Sequence, residues 1–138
     1  MKEKVYFYNM QKDETDNSIS EKLKEILTTN NLLDFITEMD FVGVKTHFGE
    51  KSHMGFAKPV YFKMLSGLLK ERKAMPFLTE TQTLYKGGRD NAVKHIELAH
   101  RHGFGFEQTG MPIIMLDGLY GDEEIEVSIP GKIYNKVK

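Results

Sequence analysis

The feature that most constrains the fold is a repeated change of hydrophobic period. Short runs rich in β-branched and aromatic residues alternate three times with longer stretches whose apolar residues recur every three to four positions. A period of two buries one face of a strand, and a period near 3.6 buries one stripe of a helix. Parallel strands joined by helical crossovers bury both, and each intervening stretch is long enough for a right-handed return. The sequence therefore predicts an α/β domain: a three-layer, mostly parallel sheet flanked by helices, with a C-terminal β-hairpin.

The elements follow from local chemistry. Residues 5–9 read as a first strand, followed by a breaker-rich loop. Ser18 or Ser20 is the expected cap of a helix from about residue 19 to about 30, with Ile19, Leu23, Ile26 and Leu27 inward. Residues 41–48 form the second strand, with Gly43 marking a close backbone approach. Pro59 suits a first helical position, so a helix runs to about residue 72, burying Val60, Tyr61, Met64, Leu65, Leu68 and Leu69. Residues 76–80 are a third strand. Asn91 opens a helix to residue 102 with Ala92, Val93, Ile96 and Ala99 inward, Glu97 and Arg101 paired outside, and Gly103 as its stop. Residues 112–116 are the fourth strand. Residues 125–129 and 133–137 make a hairpin around Pro130 and Gly131, a pair that suits a type II turn.

Composition excludes several chemistries. The 138 residues contain no cysteine, so this polypeptide alone holds no disulfide, thiolate zinc site, cysteine nucleophile or cysteine-ligated cluster. Nineteen basic residues against twenty acidic ones give a net charge of -1, which exerts no overall pull on nucleic acid or anionic lipid. The longest strongly apolar stretch, residues 111–116, is far short of the ~20 residues that span a bilayer. The N-terminus has no secretory apolar run, so the expected location is cytoplasmic. The chain reads as one domain over residues 1–138. Its strand-like pattern runs up to Lys138 with no cap, turn or polar tail, so the chain is expected to be cut there.

In an open parallel sheet, ligands bind beyond the carboxyl ends of the strands. That rule selects three loops. The first carries Lys45, His47, Glu50, Lys51 and His53. His47, Glu50 and His53 are donors suited to zinc or iron, although their spacing is no helical metal signature; the competing reading is a strand-end histidine beside solvated charges. The second loop sets the Thr79, Thr81 and Thr83 hydroxyls at alternate positions, then Lys86, Gly87, Gly88 and Arg89 before a helix N-terminus. Glycine backbone N–H groups, the helix end and two cations suit a phosphate or carboxylate; the alternative is a solvated turn. The third loop begins at Asp117. His95, His100 and His102 read as structural.

A longer pattern runs through these loops. It comprises Val44-Lys45-Thr46-His47-Phe48-Gly49-Glu50-Lys51, then Gly55-Phe56-Ala57-Lys58-Pro59, then Pro76-Phe77-Leu78-Thr79-Glu80-Thr81-Gln82-Thr83-Leu84-Tyr85. Arg89-Asp90-Asn91-Ala92-Val93, Pro112-Ile113-Ile114 and Asp117-Gly118-Leu119 continue it. In order and spacing this resembles the iron–sulfur-binding family described as domain of unknown function 362. His47, Glu50, Lys51, Thr79, Thr81, Thr83, Tyr85, Arg89 and Asp117 match the family pattern, whereas Glu80 replaces an aspartate and Ser52-His53-Met54 replaces Gly-Asn-Thr. The resemblance implies a later part bearing a ferredoxin-like module with two 4Fe–4S clusters, and no cofactor within this chain.

Two functions are therefore expected to compete. One is a binding and scaffold module whose loops hold an anionic small molecule or face the cluster-bearing part. The other is a stand-alone enzyme in which His47 and Glu50 perform acid–base or metal chemistry on an anion held by Lys51, Lys86 and Arg89. Neither involves nucleic acid or membrane. The hairpin edge is expected to be exposed and to favour association of copies.

Overall fold

A computed structural model describes residues 4–52 and 55–137. The elements are α1 (Asp16–Thr29), β1 (Phe41–Lys45), α2 (Pro59–Glu71), β2 (Met75–Thr79), α3 (Ala92–Arg101), α4 (Phe106–Thr109), β3 (Val127–Ser128) and β4 (Lys136–Val137). β1 and β2 pair in parallel, Phe41 opposite Met75 and Lys45 opposite Thr79. This is a mixed α/β fold with the parallel pairing that the alternating periods require.

Side-chain alternation decides which sheet face is buried. Val42, Val44 and Leu78 point into two apolar clusters that also hold Leu27 of α1, Leu68 and Leu69 of α2 and Ala99 of α3. The helices thus cover one face. The other carries Phe41, 79% exposed. On that face Gly43 does make a close approach: the Phe77 ring lies across it, 3.1 Å from where a Cβ would stand.

Helix ends follow their capping chemistry. Pro59 begins α2, and the Asn91 side chain accepts from the Lys94 N–H at 3.1 Å to begin α3. Gly103, with φ +86°, ends α3, and the Phe104 N–H reaches back to the Ala99 carbonyl at 3.0 Å. This turn drives Phe104 into the core beside Phe48, Phe62 and Met111.

Elsewhere the structure corrects the sequence reading. Residues 5–9 form no strand. The Tyr8 hydroxyl and the Gln11 N–H both donate to the Glu14 carboxylate, which ties this segment to the start of α1. Thr15, not Ser18 or Ser20, caps α1, accepting from the Ser18 N–H at 3.2 Å. The second strand stops at Lys45, because Phe48 turns into the core and its carbonyl meets His102 Nδ1 at 2.7 Å. Residues 112–116 contribute one parallel bridge, Ile113 to Leu78, instead of a strand. Pro112 brings no N–H, and Gly118 and Gly121, both at positive φ, fold the following chain into turns.

The buried face of α3 is also rotated from expectation. His95 and Leu98 are buried with Ala92 and Ala99, while Val93 is 70% exposed. The His95 ring packs edge-on against Phe48, a contact that counting apolar residues could not register. α4 has no counterpart in the expected elements. The C-terminal hairpin is present but short, Val127 opposite Val137 and Ser128 opposite Lys136. Gly131 is outside the left-handed region, which excludes the type II turn; the loop closes instead between the Ile129 N–H and the Asn135 carbonyl at 2.9 Å.

Candidate functional site

The loops after β1, β2 and the Ile113 bridge meet at one rim. The Thr46 N–H bonds the Thr79 carbonyl at 3.1 Å, and the Ala92 N–H bonds the Leu119 carbonyl at 2.9 Å. Two side-chain networks complete the junction. Each contains a contact between residues 35 or more positions apart, so only tertiary folding assembles it.

The first network joins Glu50 to Arg89 and Tyr85. Glu50 Oε1 accepts from Arg89 Nε at 2.9 Å, from Arg89 Nη2, and from the Tyr85 hydroxyl at 2.7 Å. The Tyr85 hydroxyl in turn accepts from Arg89 Nη2 at 2.8 Å. The Tyr85 bond, opposed by partial burial and reinforced by Arg89, holds the Glu50 carboxyl below its ordinary range. Burial pulls the Arg89 guanidinium down, but the bonds from Glu50 and Tyr85 more than offset it and leave it above its usual value. Arg89, expected to take an exogenous anion, holds an internal carboxylate.

The second network runs from Asp117 through Gln82 to His95. Asp117 accepts the Gln82 backbone N–H, and Gln82 Nε2 donates to Asp117 Oδ1 at 3.3 Å. That orientation leaves Gln82 Oε1 as an acceptor, so His95 Nδ1, 3.1 Å away, carries the proton. His95 Nε2 then presents a bare lone pair in the core with no partner among the described residues. Burial first, and the Arg89 charge second, pull the His95 pKa down to about 4 against the opposing carboxylates of Glu80 and Asp117. The ring is neutral at pH 7.

The remaining expected residues divide by position. Lys45 pairs with the buried Glu80 at 3.0 Å. His47 is exposed, and its Nδ1 accepts the Gly49 N–H at 2.9 Å, which assigns the proton to Nε2. Thr79 is buried, and the Thr83 hydroxyl donates to the Tyr85 carbonyl at 3.0 Å; Thr81 is exposed. Lys51 and Lys86 are exposed and form no ion pair among the described residues. His53 lies outside the described residues, and among those described no group of three His, Asp or Glu side chains is arranged to hold a metal ion.

Lys51 does not stand alone. It borders a cleft of about 440 Å³ with Gly87, Gly88, Lys94, Glu97 and Arg101, floored by Leu98. Its volume falls within the ~300–1,000 Å³ of small-molecule sites. The α3 residues of this cleft were not expected at the site. Their signal was present in the sequence: 94, 97, 98 and 101 share one helical face, and the double glycine sits just upstream.

Fold and rim together define a mixed α/β domain with convergent polar loops at the carboxyl ends of parallel strands. The family model described as Domain of unknown function (DUF362) matches residues 42–138, and the chain belongs to that family. No curated protein and no solved structure matches it. No helix among the described residues is long and apolar enough to cross a membrane.

Proposed function

We propose that this chain is the N-terminal α/β module of an iron–sulfur-binding, ferredoxin-like cytoplasmic protein, and that its rim holds a small anionic molecule. The observation that carries the binding reading is Lys51: a cation that forms no ion pair among the described residues, beside the Gly87–Gly88 backbone, on a cleft between the loops after β1 and β2 and helix α3. The iron–sulfur reading comes from the family resemblance and requires cysteine clusters in a separate, later part. The stand-alone enzyme has less support. Glu50 Oε1 is engaged by Arg89 and Tyr85, and these bonds hold the carboxyl ionised, a poor state for a proton donor.

Calorimetric titration of the 138-residue protein with phosphate, sulfate and citrate tests the binding reading. Binding of at least one, weakened by Lys51→Ala, is expected; failure of all three overturns it. Reading the coding sequence downstream for C-x-x-C-x-x-C spacing tests the iron–sulfur part. The hairpin favours self-association, since Ile125, Ile133 and Tyr134 are all more than three-quarters exposed. Light scattering that finds only monomer at high concentration counts against that association.

A further inference from the structure

The binding reading leaves open what the cleft selects. We infer that it takes a phosphomonoester of a small hydroxylated compound, with Lys94 and Arg101 of α3 as ligand-contacting residues; this deepens the reading above and rests on it. Charge is the first argument. The lining sets three cations, Lys51, Lys94 and Arg101, against a single carboxylate, Glu97. Asp90, paired with Lys94, offsets part of that surplus; what remains is a net positive cleft with several N–H donors, which suits the three terminal oxygens of a phosphate better than a monocarboxylate.

Donor geometry is the second. Lys94 is tied to Asp90 at 2.9 Å and Arg101 to Glu97, so each is held at the cleft by a neighbour on its own helix face or at its start. The guanidinium spends one nitrogen on Glu97 and keeps further N–H donors in its planar fork. Glu97, engaged through Oε1, keeps a second oxygen that accepts from hydroxyl groups but repels a second anionic group. Size is the third. At about 440 Å³ the cleft exceeds what one oxyanion fills, and the Leu98 floor and Gly88 supply a surface without charge for a carbon skeleton. The phosphate belongs between Lys51 and the double glycine, where backbone N–H groups approach without an intervening side chain. The hydroxylated body extends along α3 toward Glu97.

Titrations of the 138-residue protein with inorganic phosphate, ribose 5-phosphate and ribose test this. Ribose 5-phosphate is expected to bind about tenfold or more tightly than inorganic phosphate, and ribose not measurably. Lys94→Ala/Arg101→Ala should weaken ribose 5-phosphate by at least tenfold, and Lys22→Ala, on α1, should leave it unchanged. Both pairs broken by the double variant are exposed, and circular dichroism verifies that it folds. If the double variant binds both phosphates as the parent does, or if the sugar adds nothing over inorganic phosphate, the inference falls while the anion reading stands. If no oxyanion binds the parent, both fall.

Discussion

The two halves of the rim use the same residue types for opposite ends. On one side, Glu50, Arg89 and Tyr85, together with Asp117, Gln82 and His95, bond one another and lock the loops after β1, β2 and the Ile113 bridge. On the other side, Lys51, Gly87, Gly88, Lys94 and Arg101 surround open space. Both halves are polar, and both lie beyond the carboxyl ends of the strands. The difference is desolvation. A desolvated charge needs a partner, so the half around the buried Arg89 and His95 became a set of internal braces, whereas the more solvated half retains donors for something else.

The largest effect that would break this contrast is acidification. His95 is fully buried with a pKa of about 4, against an ordinary 6.5 when unfolded. A depressed histidine pKa means that the unfolded chain binds the proton first, so stability is full above pH 6.5 and is lost as pH falls toward 4. One such group is worth on the order of 3 kcal/mol between pH 7 and pH 4. Urea unfolding at several pH values measures it, and His95→Leu should flatten that limb. Glu50, held below its ordinary 4.5, adds a further loss only below that pH. A stability profile flat from pH 7 to 4.5 would mean that the His95 brace is not buried in solution.

Next comes Arg89→Ala. Removing the guanidinium leaves the Glu50 carboxylate short of its main counter-charge in a partly desolvated site. Because Glu50 keeps some solvent access, the expected cost is about 2–3 kcal/mol, below that of a fully buried pair. Adding Glu50→Gln should restore part of it, since a neutral amide tolerates the gap. Thermal unfolding of the single and double variants reads this directly. Tyr85→Phe is milder: it removes the hydroxyl shared by Glu50 and Arg89 but keeps their ion pair, and should cost about 1 kcal/mol.

How much of this was legible in the sequence follows from the range of each interaction. Pro59, Asn91, Gly103 and the Glu97–Arg101 pair act within a turn or two of chain, and each was readable from its neighbours. The parallel pairing of β1 with β2 was readable from the change of period. What stayed hidden was which rim residues would neutralise each other. Glu50 and Arg89 are 39 residues apart, and nothing local distinguishes an arginine that meets an internal glutamate from one that awaits a ligand. Residues 5–9 have a composition that suits a strand, but they pair with no strand, and Glu14 instead ties Tyr8 and Gln11 to the start of α1. The burial of His95 was hidden too, because a ring that packs as an aromatic and bonds as an amide partner scores as neither.

The smallest expected effect is the one that separates the two halves most sharply. Lys51→Ala and Lys86→Ala remove exposed cations that brace nothing among the described residues, so each should change stability by no more than about 0.5 kcal/mol. The same truncation at Arg89 costs several times more, although all three positions belong to the same pair of loops and carry the same charge. Differential scanning calorimetry in phosphate-free buffer makes the comparison. Phosphate should then raise the melting temperature of the parent and of Lys86→Ala but raise that of Lys51→Ala less, because ligand linkage acts through affinity for the folded state. A destabilisation by Lys51→Ala as large as that by Arg89→Ala would show Lys51 to be another brace, and would remove the distinction between the halves.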